Sequence, residues 1–113
     1  MTCPPTAPDD WPPSPLVAYL DAVVAALMDA GIGVRDHLAD ENGPIIEIEL
    51  DPVSAVRQPV MDWTPATGWR IAMTCRGKIR PATIRYLAAG PVPQPAVVAE
   101  RARRWLDDPD DLA

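Results

Sequence analysis

VMDWTPATGWRIAMTC, residues 60–75, decides how the chain is read. In its second half Trp69, Ile71, Met73 and Cys75 fall on one side of an extended chain, with Arg70, Thr74 and the next residue, Arg76, on the other. A period of two marks a strand buried on one face. The five residues TPATG separate it from a shorter apolar strand at 60–63, and Gly68 can take the positive φ that a tight reversal requires. The two segments therefore read as a hairpin flanked by Trp63 and Trp69.

Toward the N-terminus, IIEIEL at 45–50 sets Ile46, Ile48 and Leu50 against Glu47 and Glu49, a second half-buried strand. Pro52 and Pro59 bracket a connection where a central strand is not expected, because proline has no N–H for a ladder. Residues 32–34 begin a short strand, followed by a polar loop through Asp40, Glu41 and Asn42 to Gly43. On the other side of the hairpin, Arg76-Gly77-Lys78 reads as a turn. Residues 83–88 alternate Ile84 and Tyr86 against Thr83, Arg85 and Leu87, a last strand that ends at Gly90.

Two helices flank these strands. Leu16, Leu20, Val23 and Leu27 recur at helical spacing, with Ser14 as cap, Pro15 at the first helical position and Gly31 as stop. After the connector GPVPQP at 90–95, Val98, Ala102, Trp105 and Leu106 form a second stripe. Arg103 and Arg104 lie near the negative end of that helix dipole. The simplest arrangement that buries every stripe is an α+β fold: an antiparallel sheet of three to five strands with an N-terminal and a C-terminal helix packed on one face. The folded body is expected at 14–107, between a disordered proline-rich leader at 1–13 and an acidic tail at 108–113.

With 113 residues there is room for one domain, and 48% hydrophobic residues argue against wholesale disorder. No segment approaches the roughly 20 apolar residues that span a bilayer, and the first residues lack the basic start and apolar run of a secretory signal. Cys3 and Cys75 are far apart, with no CxxC spacing and no histidine cluster, so a reduced, cytoplasmic setting is expected without metal or cofactor. Nine arginines against the single Lys78, with fifteen prolines, are what a GC-rich genome imposes. Arginine preference alone therefore says nothing about phosphate.

Catalytic constellations are sparse, and no enzyme activity is expected. Ser14 and Ser54 lie outside any GxSxG context. His37 is the sole histidine and adjoins Asp36, but sequence neighbours rarely orient one another as a catalytic pair. Asp36, Asp40 and Glu41 do not match a calcium-loop spacing, and Gly31-Ile32-Gly33 lacks the rest of a phosphate loop.

Charge is strongly segregated. Residues 1–62 hold eleven acids and two bases, whereas residues 63–106 hold one acid, Glu100, and eight bases. Either Glu47 and Glu49 lie opposite Arg70, Arg76 or Arg85 across the sheet, or those arginines form a patch for an acidic partner. The reading that follows is a non-enzymatic protein–protein interaction or adaptor module, with Arg70, Arg76, Arg85, Trp63 and Trp69 as partner-binding residues. A homodimer through an unpaired sheet edge is a further route to association. An alternative is a small-molecule-binding regulatory domain that uses the Trp63/Trp69 hairpin as a shelf. A nucleic-acid-associated factor fits least, since the net charge is −6.

Trp63, Gly68-Trp69, Tyr86-Leu87, Gly90 and Pro93-x-Pro95 together resemble the pattern of an actinobacterial family of small proteins known only as a domain of unknown function. The resemblance covers roughly residues 16–106 and is poorest over 35–42. It implies the α+β fold and an actinobacterial or mobile-element origin, and it carries no activity with it.

Overall fold

The first helix, α1 (Pro15–Asp29), buries Leu20, Val23 and Leu27, the expected stripe. Gly31, at φ +80°, then reverses the chain, and Ile32 N–H returns to the Leu27 carbonyl at 2.9 Å. The computed structural model describes residues 15–87 and 90–107. The Ser14 cap, the leader at 1–13 and the tail at 108–113 lie outside them.

Six strands follow among the described residues: β1 (Val34–Asp40), β2 (Ile45–Leu50), β3 (Arg57–Thr64), β4 (Gly68–Cys75), β5 (Lys78–Ile79) and β6 (Arg85–Tyr86). They form one sheet in the order β1-β2-β3-β4-β5, with β6 also on β4, and every pairing is antiparallel. The second helix, α2 (Pro95–Leu106), buries Val98, Ala99, Ala102 and Trp105. These side chains and those of α1 join Ile46, Ile48, Leu50, Met61, Trp63, Trp69, Ile71 and Met73 in a single core. One sheet face is thus covered by both helices, as the apolar stripes require.

Four details depart from the sequence-based expectation, each for a local reason. Residues 35–40, expected as a polar loop, are the body of edge strand β1. Its burial alternation is absent because nearly every side chain is exposed, and a bulge between Val34 and Asp36 breaks the period. Pro59 lies inside β3, paired with Met73. The ladder to β2 stops one residue short of it, and the Leu50 carbonyl accepts the Gln58 side-chain amide at 3.0 Å instead of a proline N–H.

Of the expected strand at 83–88, whose residue 88 lies outside the described residues, two residues are paired, because a single 3₁₀ turn, Pro81–Thr83, takes up its start. Between β5 and β6 the edge of β4 would be left open at Met73. Buried Thr83 fills the gap: its Oγ1 accepts the Met73 N–H at 2.9 Å and donates to the Arg80 carbonyl at 2.7 Å. The remaining departure is β5 itself, since the expected turn at 76–78 closes into a two-residue reversal and Lys78–Ile79 pairs back on β4; Arg76 and Gly77 there both have positive φ, +53° and +81°. That is the two-residue I′ geometry, which ordinarily favours Asn or Gly at the position Arg76 occupies.

Candidate functional site

Trp63 and Trp69 do face each other, as directly paired residues of β3 and β4. They point inward, however, and are only 6% and 2% exposed. Tyr19 of α1 packs its ring edge-on against Trp63, with centroids 6.2 Å apart, and tilted against Trp69 at 6.3 Å. Trp69 Nε1 donates to the Tyr19 hydroxyl at 3.0 Å, and that hydroxyl donates to the Pro93 carbonyl at 2.6 Å. Trp63 Nε1 donates to the Pro91 carbonyl, also at 2.6 Å. The three rings therefore pin the hairpin, α1 and the connector before α2 to one another. They offer no shelf at the surface.

The three arginines expected to form one patch are dispersed by the register. Arg70 pairs across the sheet with Asp62 and with Tyr86. Its Nε and Nη2 donate to both Asp62 carboxylate oxygens, at 2.8 and 2.7 Å. Those hydrogen bonds, ahead of the charge of Asp62 and of nearby Tyr86, raise the guanidinium pKa above its ordinary value. Arg70 is thus neutralised by Asp62 rather than by Glu47 or Glu49. Arg76 stands six residues on, about 20 Å along the strand, in the β4–β5 turn. Arg85 pairs with Ile71, which puts it on the helix-bearing side of the sheet, the opposite side from Arg70. There it donates to the carbonyls of Ala82 and Ile84 at 2.9 and 2.8 Å.

On the open side, charge is sorted by strand. Asp36, Leu38 and Asp40 of β1 stand beside Glu49, Glu47 and Ile45 of β2. Glu47 faces Asp62 and Glu49 faces Val60 on β3. Among the described residues none of Asp36, Asp40, Glu47 and Glu49 forms an ion pair. The bases at Arg76, Lys78 and Arg80 lie near β5, three strand spacings from β2, or about 14 Å. That exceeds the screening length of about 8 Å at physiological salt, so the two ends do not cancel. Between them lie Val60, Ala72, Ile79 and Ile84, with Leu38 59% and Tyr86 58% exposed at the two margins.

The residues weighed for chemistry are not brought together. His37 is exposed on the edge strand, and its backbone N–H is held by Asp36 Oδ1 at 2.8 Å. Ser54 Oγ accepts the N–H groups of Val56 and Arg57, at 3.4 and 3.1 Å, as a loop residue does. Among the described residues no group of three histidine, cysteine or acidic side chains is placed to hold a metal ion. Among the described residues no helix is long and apolar enough to cross a membrane. Sequence reading missed the partner of Arg70, because the pairing of residues 62 and 70 depends on register alone.

Sheet, helices and open face together define a small α+β domain with its main hydrophobic core on one side of a single antiparallel sheet. Within that class its family is clear: residues 19–104 match the model of DUF6292, a family of unknown function, and the chain belongs to it. The match begins at Tyr19 and runs into α2, so the aromatic pin lies wholly inside it. No curated protein and no solved structure matches the chain.

Proposed function

We propose that this domain is a non-enzymatic protein-interaction module that docks through the open face of its sheet, in the cytoplasm of an actinobacterial cell. The observation that carries the reading is the band of carboxylates on β1 and β2. Asp36, Asp40, Glu47 and Glu49 share one face with exposed Leu38 and form no ion pair among the described residues. Like charges directly opposite one another weaken a sheet, as Asp36 and Glu49 do here, and a basic partner surface relieves that repulsion. The occupant is therefore a protein that presents lysines or arginines to this band and apolar side chains to Val60, Ala72 and Ile79.

Affinity capture from the native cell tests this with Glu47→Arg combined with Glu49→Arg, alongside the control Arg104→Glu on the exposed side of α2. A partner held by wild type and control, lost by the double variant, and rebound in purified form with salt-sensitive affinity supports the open face. Equal recovery by all three proteins overturns it. So does a partner lost only when Arg76 and Lys78 are reversed, which would place an acidic partner at the β4–β5 end.

A further inference from the structure

One end of the sheet gathers three arginines that the chain keeps far apart. Arg35 sits in the β1 bulge, Arg57 opens β3, and Arg76 occupies the β4–β5 turn. Together with Ser54, Gln58 and Thr74 they line an open cleft of about 210 Å³. No carboxylate lines it, although the chain carries a net charge of −6. Among the described residues none of these three guanidinium groups forms an ion pair. A GC-rich composition explains why the bases are arginines. It does not explain why three of them line one cleft that has no carboxylate in its wall.

The walls are held in place by the backbone. Arg76 N–H donates to the Val56 carbonyl at 2.7 Å, which clamps the loop before β3 onto the β4–β5 turn. Ser54 Oγ accepts two N–H groups of that loop and keeps its own proton to donate. Thr74 Oγ1 is already committed to the Gln58 carbonyl at 3.0 Å, and the Gln58 amide to the Leu50 carbonyl. Glu49 accepts from the same amide at 3.5 Å but forms no ion pair with these arginines among the described residues. The donors left over are three guanidinium groups, the Ser54 hydroxyl and the N–H groups of Ala55 and Gly77, which make no hydrogen bond among the described residues.

Arg76 supplies an independent sign. Its φ of +53° is unfavourable for a residue with a branched-off side chain, and Asn or Gly would adopt it at less cost. Strained non-glycine residues cluster at ligand-binding sites, and Arg76 lines this cleft. We propose that this cleft binds the phosphate group of a small ligand, either free phosphate or a phosphate ester. The donors lining the cleft come from three segments, which suits a tetrahedral dianion, whereas a carboxylate is satisfied by one guanidinium fork. The volume is below the roughly 300 Å³ at which sites enclose a drug-sized ligand, so the cleft holds one group of its ligand and leaves the rest outside. This site is at the sheet's end and stands or falls independently of the docking face on β1 and β2.

The test is an amide NMR titration of the full chain at constant ionic strength, with inorganic phosphate, glycerol phosphate and acetate as probes. Saturable shifts at Ser54, Ala55 and Gly77 are expected for phosphate. Arg57→Gln and Arg76→Asn should each weaken binding about tenfold or more, the loss of one charge-assisted hydrogen bond. Arg76→Asn should do so with an unchanged or higher melting temperature, because Asn suits the turn, and this separates lost binding from lost folding. Tighter binding of glycerol phosphate identifies an ester as ligand, and equal binding identifies the free anion. Shifts that rise without saturating, acetate bound as well as phosphate, or wild-type affinity in both variants would overturn the site.

Discussion

Replacing Tyr19 by Phe removes a single oxygen from the centre of the aromatic pin and leaves the ring in place. That oxygen accepts the Trp69 Nε1 proton at 3.0 Å and donates to the Pro93 carbonyl at 2.6 Å. Trp69 is 2% exposed, so its N–H cannot turn to water, and a buried donor left without a partner costs about 1–3 kcal/mol. The Pro93 carbonyl adds a smaller loss, and the relieved desolvation of the hydroxyl offsets part of both. A net loss of about 2 kcal/mol at pH 7 follows, which in a body of this size lowers the melting temperature by roughly 8–16 °C. A second signature lies in pH. Burial raises the Tyr19 pKa above its ordinary 10.0, outweighing the Trp69 hydrogen bond that lowers it. The folded protein thus holds this proton more tightly than the unfolded chain. Its contribution is complete below pH 10 and is lost as pH climbs through the folded value. The Phe variant lacks that decline, so the two stabilities should converge under alkaline conditions. Urea unfolding followed by tryptophan fluorescence between neutral and strongly alkaline pH reads both effects. A loss under about 0.5 kcal/mol at pH 7, or parallel pH curves, would refute the role given to the hydroxyl.

Thr83→Val keeps the shape at the open edge of β4 and removes the acceptor of the Met73 N–H. A destabilisation of about 2 kcal/mol is expected, with faster amide exchange at Met73 than at its neighbours, and unchanged exchange would show that another acceptor serves it. Gly68→Ala places a methyl at φ +68°, 3.1 Å from the Gly90 carbonyl, whereas Gly31→Ala at φ +80° meets nothing within 4 Å. Both should lose about 1–2 kcal/mol to the backbone conformation, and Gly68→Ala more than Gly31→Ala in denaturant titrations. Equal losses would mean that the hairpin and the connector do not press on one another.

Alternation along a strand states which face a residue takes and is silent on what stands beside it. That division accounts for what was legible in this chain. The two helical stripes and strand β2, with Ile46, Ile48 and Leu50 buried and Glu47 and Glu49 exposed, each have one buried face, so burial wrote its period into the residues, and the α+β fold could be read from them; β4 buries Ala72 and Thr74 on its other side as well. Strand β1 has almost no buried side chain to write one, and it passed for a loop. Pro59 reads as a strand breaker because its missing N–H is visible and the Gln58 amide that takes over the Leu50 carbonyl is not. The functional residues suffer most from this limit. Arg70 and Arg85 look equivalent in a chain that alternates charges, yet one residue of register puts Arg70 beside Asp62 and Arg85 on the helix side. Arg76 joins Arg35 and Arg57 only because β1, β3 and β4 end together, across separations no local pattern can encode. The one local trace of that meeting is an arginine in a turn position that prefers asparagine or glycine. A charge retained against the preference of its own backbone is the kind of signal that links sequence to site, which is why the Arg76→Asn variant discriminates so sharply between a residue kept for folding and one kept for a ligand.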